Sequence, residues 1–125
     1  MDTTYTHRDL MAWQEAMKLA AAVYRETTAF PKHELYGLTS QTRRAAVSIP
    51  SNIAEGAGRN STREWAQYLG VASGSLAELE TQLELGVMLK YLPDNPGIIR
   101  QARRVGRLLS ALRESIKHKA ELGEA

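Results

Sequence analysis

Residues 61–86 read STREWAQYLGVASGSLAELETQLELG, and the spacing of their apolar members decides the fold. Trp65, Leu69, Ala72, Leu76, Leu79, Leu83 and Gly86 follow one another at alternating steps of four and three. That is the heptad period of a long helix whose single seam packs against other helices. The stretch also carries its own start signal. Ser61 followed three residues later by Glu64 is a capping box, in which hydroxyl and carboxylate satisfy backbone donors of the first turn.

The same logic extends in both directions. Downstream, LPDNPG at 92–97 breaks the chain, and Asn95-Pro96 supplies an N-cap followed by proline at the first helical position. The next seam is Ile98, Ala102, Val105, Leu109, Leu112 and Ile116, again at steps of four and three. Upstream, PKHELYG at 31–37 reads as one short turn stopped by Gly37, after which a helix runs from Leu38 or Thr39 to about Ala57. A first helix is capped near Thr6, with Asp9 in its opening turn, and shows Leu10, Trp13, Met17, Ala20, Ala21 and Tyr24 as its apolar stripe. Phe30-Pro31 closes it, because a residue before proline avoids the helical region. No window alternates with period two. The expectation is an all-α, antiparallel up-down-up-down four-helix bundle, a single domain over 1–125 with ends frayed at about 1–6 and 119–125.

Composition excludes several kinds of function. With no cysteine there is no disulfide, thiol nucleophile or thiolate metal site, which suits a reducing cytoplasm. The opening MDTTYTHRDLMAWQ lacks a basic segment followed by an apolar run, so it does not read as a secretory signal. No apolar run approaches the ~20 residues of a membrane span. His7, His33 and His118 lie in different segments, and no Glu-x-x-His motif of a di-metal bundle occurs. No metal, no cofactor and no catalytic residue is expected. EGAGRNST at 55–62 lacks the lysine of a phosphate loop, the third glycine of a dinucleotide fingerprint and any preceding strand. What remains there is a helix start flanked by Arg59 and Arg63, which suits an anion and equally suits a tight helix–helix turn with solvated arginines.

The net charge of +2 is unevenly spread. Residues 36–63 hold Arg43, Arg44, Arg59 and Arg63 against Glu55, residues 64–94 are acidic, and residues 95–119 are strongly basic. Such segregation offers a basic face to an anionic partner, or it pairs acidic with basic helices inside the fold. Arg100, Arg103, Arg104 and Arg107 sit at i, i+3, i+4 and i+7, opposite the seam of their own helix, with no acid between them. Four arginines on one face are a footprint for nucleic-acid phosphates. On the heptad helix, Gly70, Gly74, Ala77 and Thr81 form a second stripe of small residues away from the seam. Each mid-helix glycine costs about 1 kcal/mol relative to alanine, which points to close approach of another helix, from a neighbouring subunit or from within the bundle.

One segment needs more than patterning. In RRAAVSIPSNIAEG at 43–56, Pro50 removes a backbone donor and crowds the carbonyl of Ala46, with Ser48, Ser51 and Asn52 placed to bond what the bend frees. Ala45, Ile49 and Ile53 still hold one face. FPKHELYGLTSQTRRAAVSIPSNIAEGAGR at 30–59, followed by EWAQYLGVASGSLAELETQLELG at 64–86, resembles the four-helix-bundle proteins encoded within intervening sequences of bacterial 23S rRNA genes. The resemblance runs from about Trp13 to Leu92. It implies a bundle assembling into a five-membered ring, with no catalytic role at the motif residues Arg43, Arg44, Pro50, Ser51, Asn52, Glu55, Gly56 and Arg59. A related group serves as accessory proteins of diversity-generating retroelements, where a basic surface engages nucleic acid and a reverse transcriptase. The expectation is therefore a non-enzymatic homo-oligomer, a pentamer by this resemblance. It would bind RNA or DNA through Arg43, Arg44, Arg59, Arg63, Arg100, Arg103, Arg104 and Arg107. The rival is a scaffold that recruits a partner protein.

Overall fold

The heptad helix runs from Thr62 to Met88 in the computed structural model, which describes residues 6–94 and 96–124. Three other helices accompany it, giving α1 Met11–Thr27, α2 Leu38–Ala57, α3 Thr62–Met88 and α4 Gly97–Glu121. Two 3-10 turns, His7–Asp9 and Lys32–Glu34, precede α1 and α2. Among the described residues, α1 packs on α2 and α4, and α3 packs on α2 and α4, with no diagonal packing. The helices therefore stand at four corners in chain order, an all-α four-helix bundle with no strand among the described residues.

Each end has a local cause. Thr6 and Asp9 form a reciprocal box, the Thr6 amide donating to Asp9 Oδ2 at 2.8 Å, but this box caps the 3-10 turn and α1 proper starts at Met11. At Ser61 the serine half of the expected box forms, Oγ accepting from the Glu64 amide at 3.1 Å. The start of α2 is held by Glu34, whose Oε1 accepts from the Leu38 amide at 3.1 Å while Oε2 accepts from the Tyr91 hydroxyl at 2.9 Å. One carboxylate thus ties the turn before α2 to the loop after α3. The end of α3 is a Schellman motif: Tyr91 N donates to Gly86 O at 2.8 Å and Lys90 N to Val87 O at 3.0 Å, with Lys90 left-handed at φ 64°. The expected N-cap Asn95 lies outside the described residues; Pro96 is extended and α4 begins at Gly97. Helix α4 continues to Glu121, through the first three residues of 119–125.

The seams of α3 and α4 form most of the core. Leu69, Ala72, Leu76, Leu79, Leu83 and Gly86 are buried against Ile98, Ala102, Val105, Leu109 and Ile116, with Trp65 and Leu112 half-buried at the margins. Helix α2 adds Ala45, Ala46, Ile49 and Ile53. Helix α1 corrects the sequence reading. Its buried side is Ala12, Ala16, Leu19, Ala20, Ala22, Val23 and Thr27, whereas Met17, Ala21 and Tyr24 are exposed and Leu10 and Trp13 only half-buried. The helix is apolar on two faces. The face rich in alanine lets α2 and α4 approach closely, and the bulkier face is left outside.

Candidate nucleic-acid and subunit interfaces

Helix α4 turns its apolar seam inward, so Arg100, Arg103, Arg104 and Arg107 emerge together on the opposite, exposed side. Arg104 leans toward α1, its Nε donating to Glu15 Oε1 at 3.3 Å. Glu15 also accepts from Lys18 Nζ at 3.2 Å, and these two cations, Lys18 foremost, hold its carboxyl below the usual glutamate range. Arg103 and Arg107 border a shallow depression shared with Glu80, Gly106, Ser110 and Glu114. The face is cationic at its centre and carries acids at its edges.

The other nominated arginines have divided roles. Arg43 Nε donates to Thr27 Oγ1 at 2.8 Å and its Nη2 to the Tyr24 carbonyl at 3.2 Å, with the guanidinium 4.8 Å above the Tyr24 ring. It serves the last turn of α1, where a cation complements free carbonyls. Arg44 is exposed beside Tyr24, Leu35, Tyr36, Thr39 and Ser40. Arg59 Nη2 donates to Glu55 Oε2 at 2.7 Å and to the Tyr68 hydroxyl at 2.5 Å, and its guanidinium stacks 4.8 Å over the Tyr68 ring. It clasps the end of α2 to α3. Arg63 is exposed and borders a recess with Gln67, Arg113 and Lys117.

Arg113 and Lys117 were not singled out by sequence reasoning. The signal was present in Gly70, half a bundle away in sequence: a Cβ there would come 3.1 Å from Arg113 Nη2, so the missing side chain makes room for that guanidinium. Gly70 thus has an intramolecular neighbour. Gly74, Ala77 and Thr81 are exposed, Gly74 with open space around it and Thr81 Oγ1 donating to the Ala77 carbonyl at 2.8 Å.

Ser48, Asn52 and Gly56 of the proline motif lie toward α3, while Pro50 and Ser51 lie toward α1. Pro50 is buried within α2. Asn52 Nδ2 donates to the carbonyl and the hydroxyl of Ser48 at 2.8 and 3.0 Å, and the Ser48 hydroxyl meets that of Ser75 on α3 at 2.8 Å. Asn52 thus bonds a backbone carbonyl beside the proline, and the Ser48 hydroxyl reaches the neighbouring helix. Gly56 is buried where α2 meets α3: a Cβ there would sit 2.6 Å from Trp65 Cδ1 and 2.8 Å from Tyr68 Cβ. Glu55 is committed to Arg59.

Ser51 is exposed and joins a feature that sequence reasoning missed. The outer residues Trp13, Met17, Ala21 and Tyr24 of α1 with the edge of buried Ala20, His7 before the helix, and the α2 residues Val47, Pro50, Ser51 and Ala54 line an open, largely apolar groove of about 470 Å³. Its signal was the α1 periodicity, assigned to the wrong side of the helix. Among the described residues no group of His, Asp or Glu side chains could hold a metal ion, and no helix is long and apolar enough to cross a membrane.

Among known protein families, the model of the 23S rRNA-intervening sequence protein matches residues 8–111. No curated protein matches the chain.

Proposed function

The chain belongs to the 23S rRNA-intervening sequence protein family, and from that premise we propose that it is a non-enzymatic homo-oligomer, a five-membered ring, that binds structured RNA through arginine-rich surfaces. The observation that carries this reading is the outer face of α4, where four exposed arginines stand opposite the buried seam with no acid interleaved along the helix. Guanidinium groups bond phosphate oxygens bidentately, and each phosphate neutralised releases condensed counterions. Arg63 with Arg113 and Lys117, and Arg44 at the far end of α2, extend the cationic surface in the same proposal. Arg43 and Arg59 contribute through the fold, since Arg43 Nε and Nη2 and Arg59 Nη2 are already engaged within the chain. A ring would multiply a weak site, because every subunit presents the same face to one long ligand.

The direct test is a binding titration of a structured RNA at moderate salt. Changing Arg100, Arg103, Arg104 and Arg107 together to glutamine should remove most of the binding while helicity and assembly mass stay as in the parent. Undiminished binding would reduce the stripe to a solvated helix face.

A second reading, a scaffold that recruits a nucleic-acid enzyme such as a reverse transcriptase, is favoured by one observation. Tyr36 is 93% exposed and Leu35 48% exposed, next to Arg44. Exposed tyrosine beside arginine is the side-chain chemistry of protein–protein hot spots. A protein that co-purifies with the parent and is lost on Tyr36→Ala would support this reading over the first.

A further inference from the structure

The cationic side chains of this chain differ in whether the fold gives them a partner. Arg43 bonds the last turn of α1, Arg59 bonds Glu55 and Tyr68, and Arg104 shares Glu15 with Lys18. Among the described residues, neither the Arg63 nor the Arg113 guanidinium makes a hydrogen bond or an ion pair. These two meet. Both line a recess of about 350 Å³ between the first turns of α3 and the last turns of α4, together with Ala66, Gln67, Lys117 and Glu121.

Arg113 is held there against its own preference. Its side chain is only partly exposed, and Nε is buried with no hydrogen-bond acceptor. A buried donor left unpaired is costly, and more so when it carries charge. The guanidinium lies against Gly70 of α3, where a Cβ would come 3.1 Å from Nη2 and 3.5 Å from Cζ. Glycine at a mid-helix position is itself unfavourable. Two costs therefore keep one unpaired guanidinium seated on α3, at the wall of a recess open to solvent. An arginine that only needed water would require neither the burial nor the glycine.

Charge selects the ligand. The recess holds three cations, Arg63, Arg113 and Lys117, against one acid, Glu121, an excess of two positive charges. Lys117 is only loosely held elsewhere, its Nζ lying 3.9 Å from Glu114 Oε2. A terminal phosphate carries close to two negative charges at neutral pH, whereas a phosphodiester or a carboxylate carries one. Guanidinium forks bond phosphate oxygens bidentately, and the exposed Gln67 amide stands beside them to donate to a further oxygen.

We infer that this recess binds a doubly charged terminal phosphate, either the 5′ end of a nucleic-acid strand or free phosphate. The first source rests on the nucleic-acid reading proposed above, and the site itself does not. None of the four arginines of the α4 stripe lines it.

The test uses the intact protein and two probes. The first is one single-stranded RNA oligonucleotide prepared with a 5′-phosphate and with a 5′-hydroxyl, followed by fluorescence anisotropy at moderate salt. The phosphorylated form should bind at least about tenfold more tightly, the worth of one charge-assisted hydrogen bond or more. Arg63→Gln and Lys117→Gln, both at exposed positions, should each reduce that preference. Arg113→Lys keeps the charge, loses the fork and should abolish it. Gly70→Ala should weaken it while the melting temperature holds or rises, since the methyl favours the helix and displaces only the guanidinium. The quadruple α4 glutamine variant should lower both affinities and keep their ratio, so the two readings fail separately. The second probe is inorganic phosphate, titrated by calorimetry. Phosphate binding that is lost in Arg113→Lys, without any 5′ preference, would support the site and identify free phosphate as its source. Equal affinity for the two oligonucleotides and no phosphate binding by the parent would overturn the inference. A 5′ preference undiminished in both Arg63→Gln and Arg113→Lys would overturn it equally.

Discussion

Gly56→Ala is the sharpest test of how α2 meets α3. In an unobstructed helix this change gains up to about 1 kcal/mol, since alanine restricts the unfolded chain and fits helical geometry. Here the added methyl would sit 2.6 Å from Trp65 Cδ1, 2.8 Å from Tyr68 Cβ and 3.2 Å from the Trp65 carbonyl oxygen. Carbon atoms in contact prefer separations of about 3.5–4.0 Å, so the overlap approaches an ångström. Rotating the Trp65 ring would relieve one contact. Tyr68 Cβ and the Trp65 carbonyl move only with the backbone of α3, so the two helices must part. Overpacking of this kind costs about 1–3 kcal/mol, and the rigidity of the obstacles puts this case at the upper end. The net expectation is a loss of roughly 2 kcal/mol, or a fall of roughly 8 °C in Tm for a chain of this size. Gly58→Ala is the matched control: two residues on, its Cβ would lie 3.6 Å from the Glu55 carbonyl, ordinary contact at a right-handed φ of −84°. It should stay within about 0.5 kcal/mol of the parent. Urea denaturation followed by circular dichroism, at one fixed protein concentration because self-association shifts the midpoint, measures both. A Gly56→Ala protein as stable as the parent would refute the close α2–α3 approach.

Two further predictions concern local chemistry. Lys90 holds a left-handed φ of 64° at the end of α3, so Lys90→Gly should raise stability by about 0.5–1 kcal/mol in the same urea assay, and a loss would deny the Schellman cap. The Glu34–Tyr91 bond should set a pH window. The Leu38 amide foremost, then the Tyr91 hydroxyl, hold the Glu34 carboxyl below its ordinary 4.5, so its contribution is present above that value and is lost as pH falls through the lowered one. The bond to Glu34 pushes the Tyr91 phenol above its ordinary 10.0, so its contribution is present below that value and is lost as pH rises through the raised one. Denaturation midpoints across pH should show both flanks, and Tyr91→Phe should abolish the alkaline flank while weakening the acid one.

The parts of this fold that were legible from residues alone were those with an unbroken heptad run. The seam from Ile98 to Ile116 stands out against a charged outer face, and the seam from Leu69 to Gly86 stands out by its regular spacing although Val71, Leu85 and Met88 lie exposed outside it. Helix α1 misled because Trp13, Met17 and Tyr24 make one apolar face while Ala12, Ala16, Leu19 and Val23 make another. Periodicity reports that a face exists, and only packing against α2 and α4 decides which face turns inward. The candidate site divides in the same way. That Arg100, Arg103, Arg104 and Arg107 share the face opposite the core follows from helical spacing. That Arg43 serves the end of α1, Arg59 clasps Tyr68 and Gly70 seats Arg113 depends on contacts between residues far apart in sequence. Spacing along one helix carries no information about them.

The central claim, that the α4 arginines bind nucleic-acid phosphates, is tested most directly by the salt dependence of RNA affinity. Each phosphate contact contributes a slope of about −0.9 on a duplex and about −0.7 on single strands when log affinity is plotted against log salt. Fluorescence anisotropy with one structured RNA, for the parent and for variants carrying one, two and four arginine-to-glutamine changes among Arg100, Arg103, Arg104 and Arg107, reads that slope. The account predicts that the slope flattens stepwise, with a smaller step at Arg104, whose Nε is already engaged by Glu15. A slope and an affinity unchanged in the quadruple variant, with helicity and mass intact, would contradict it.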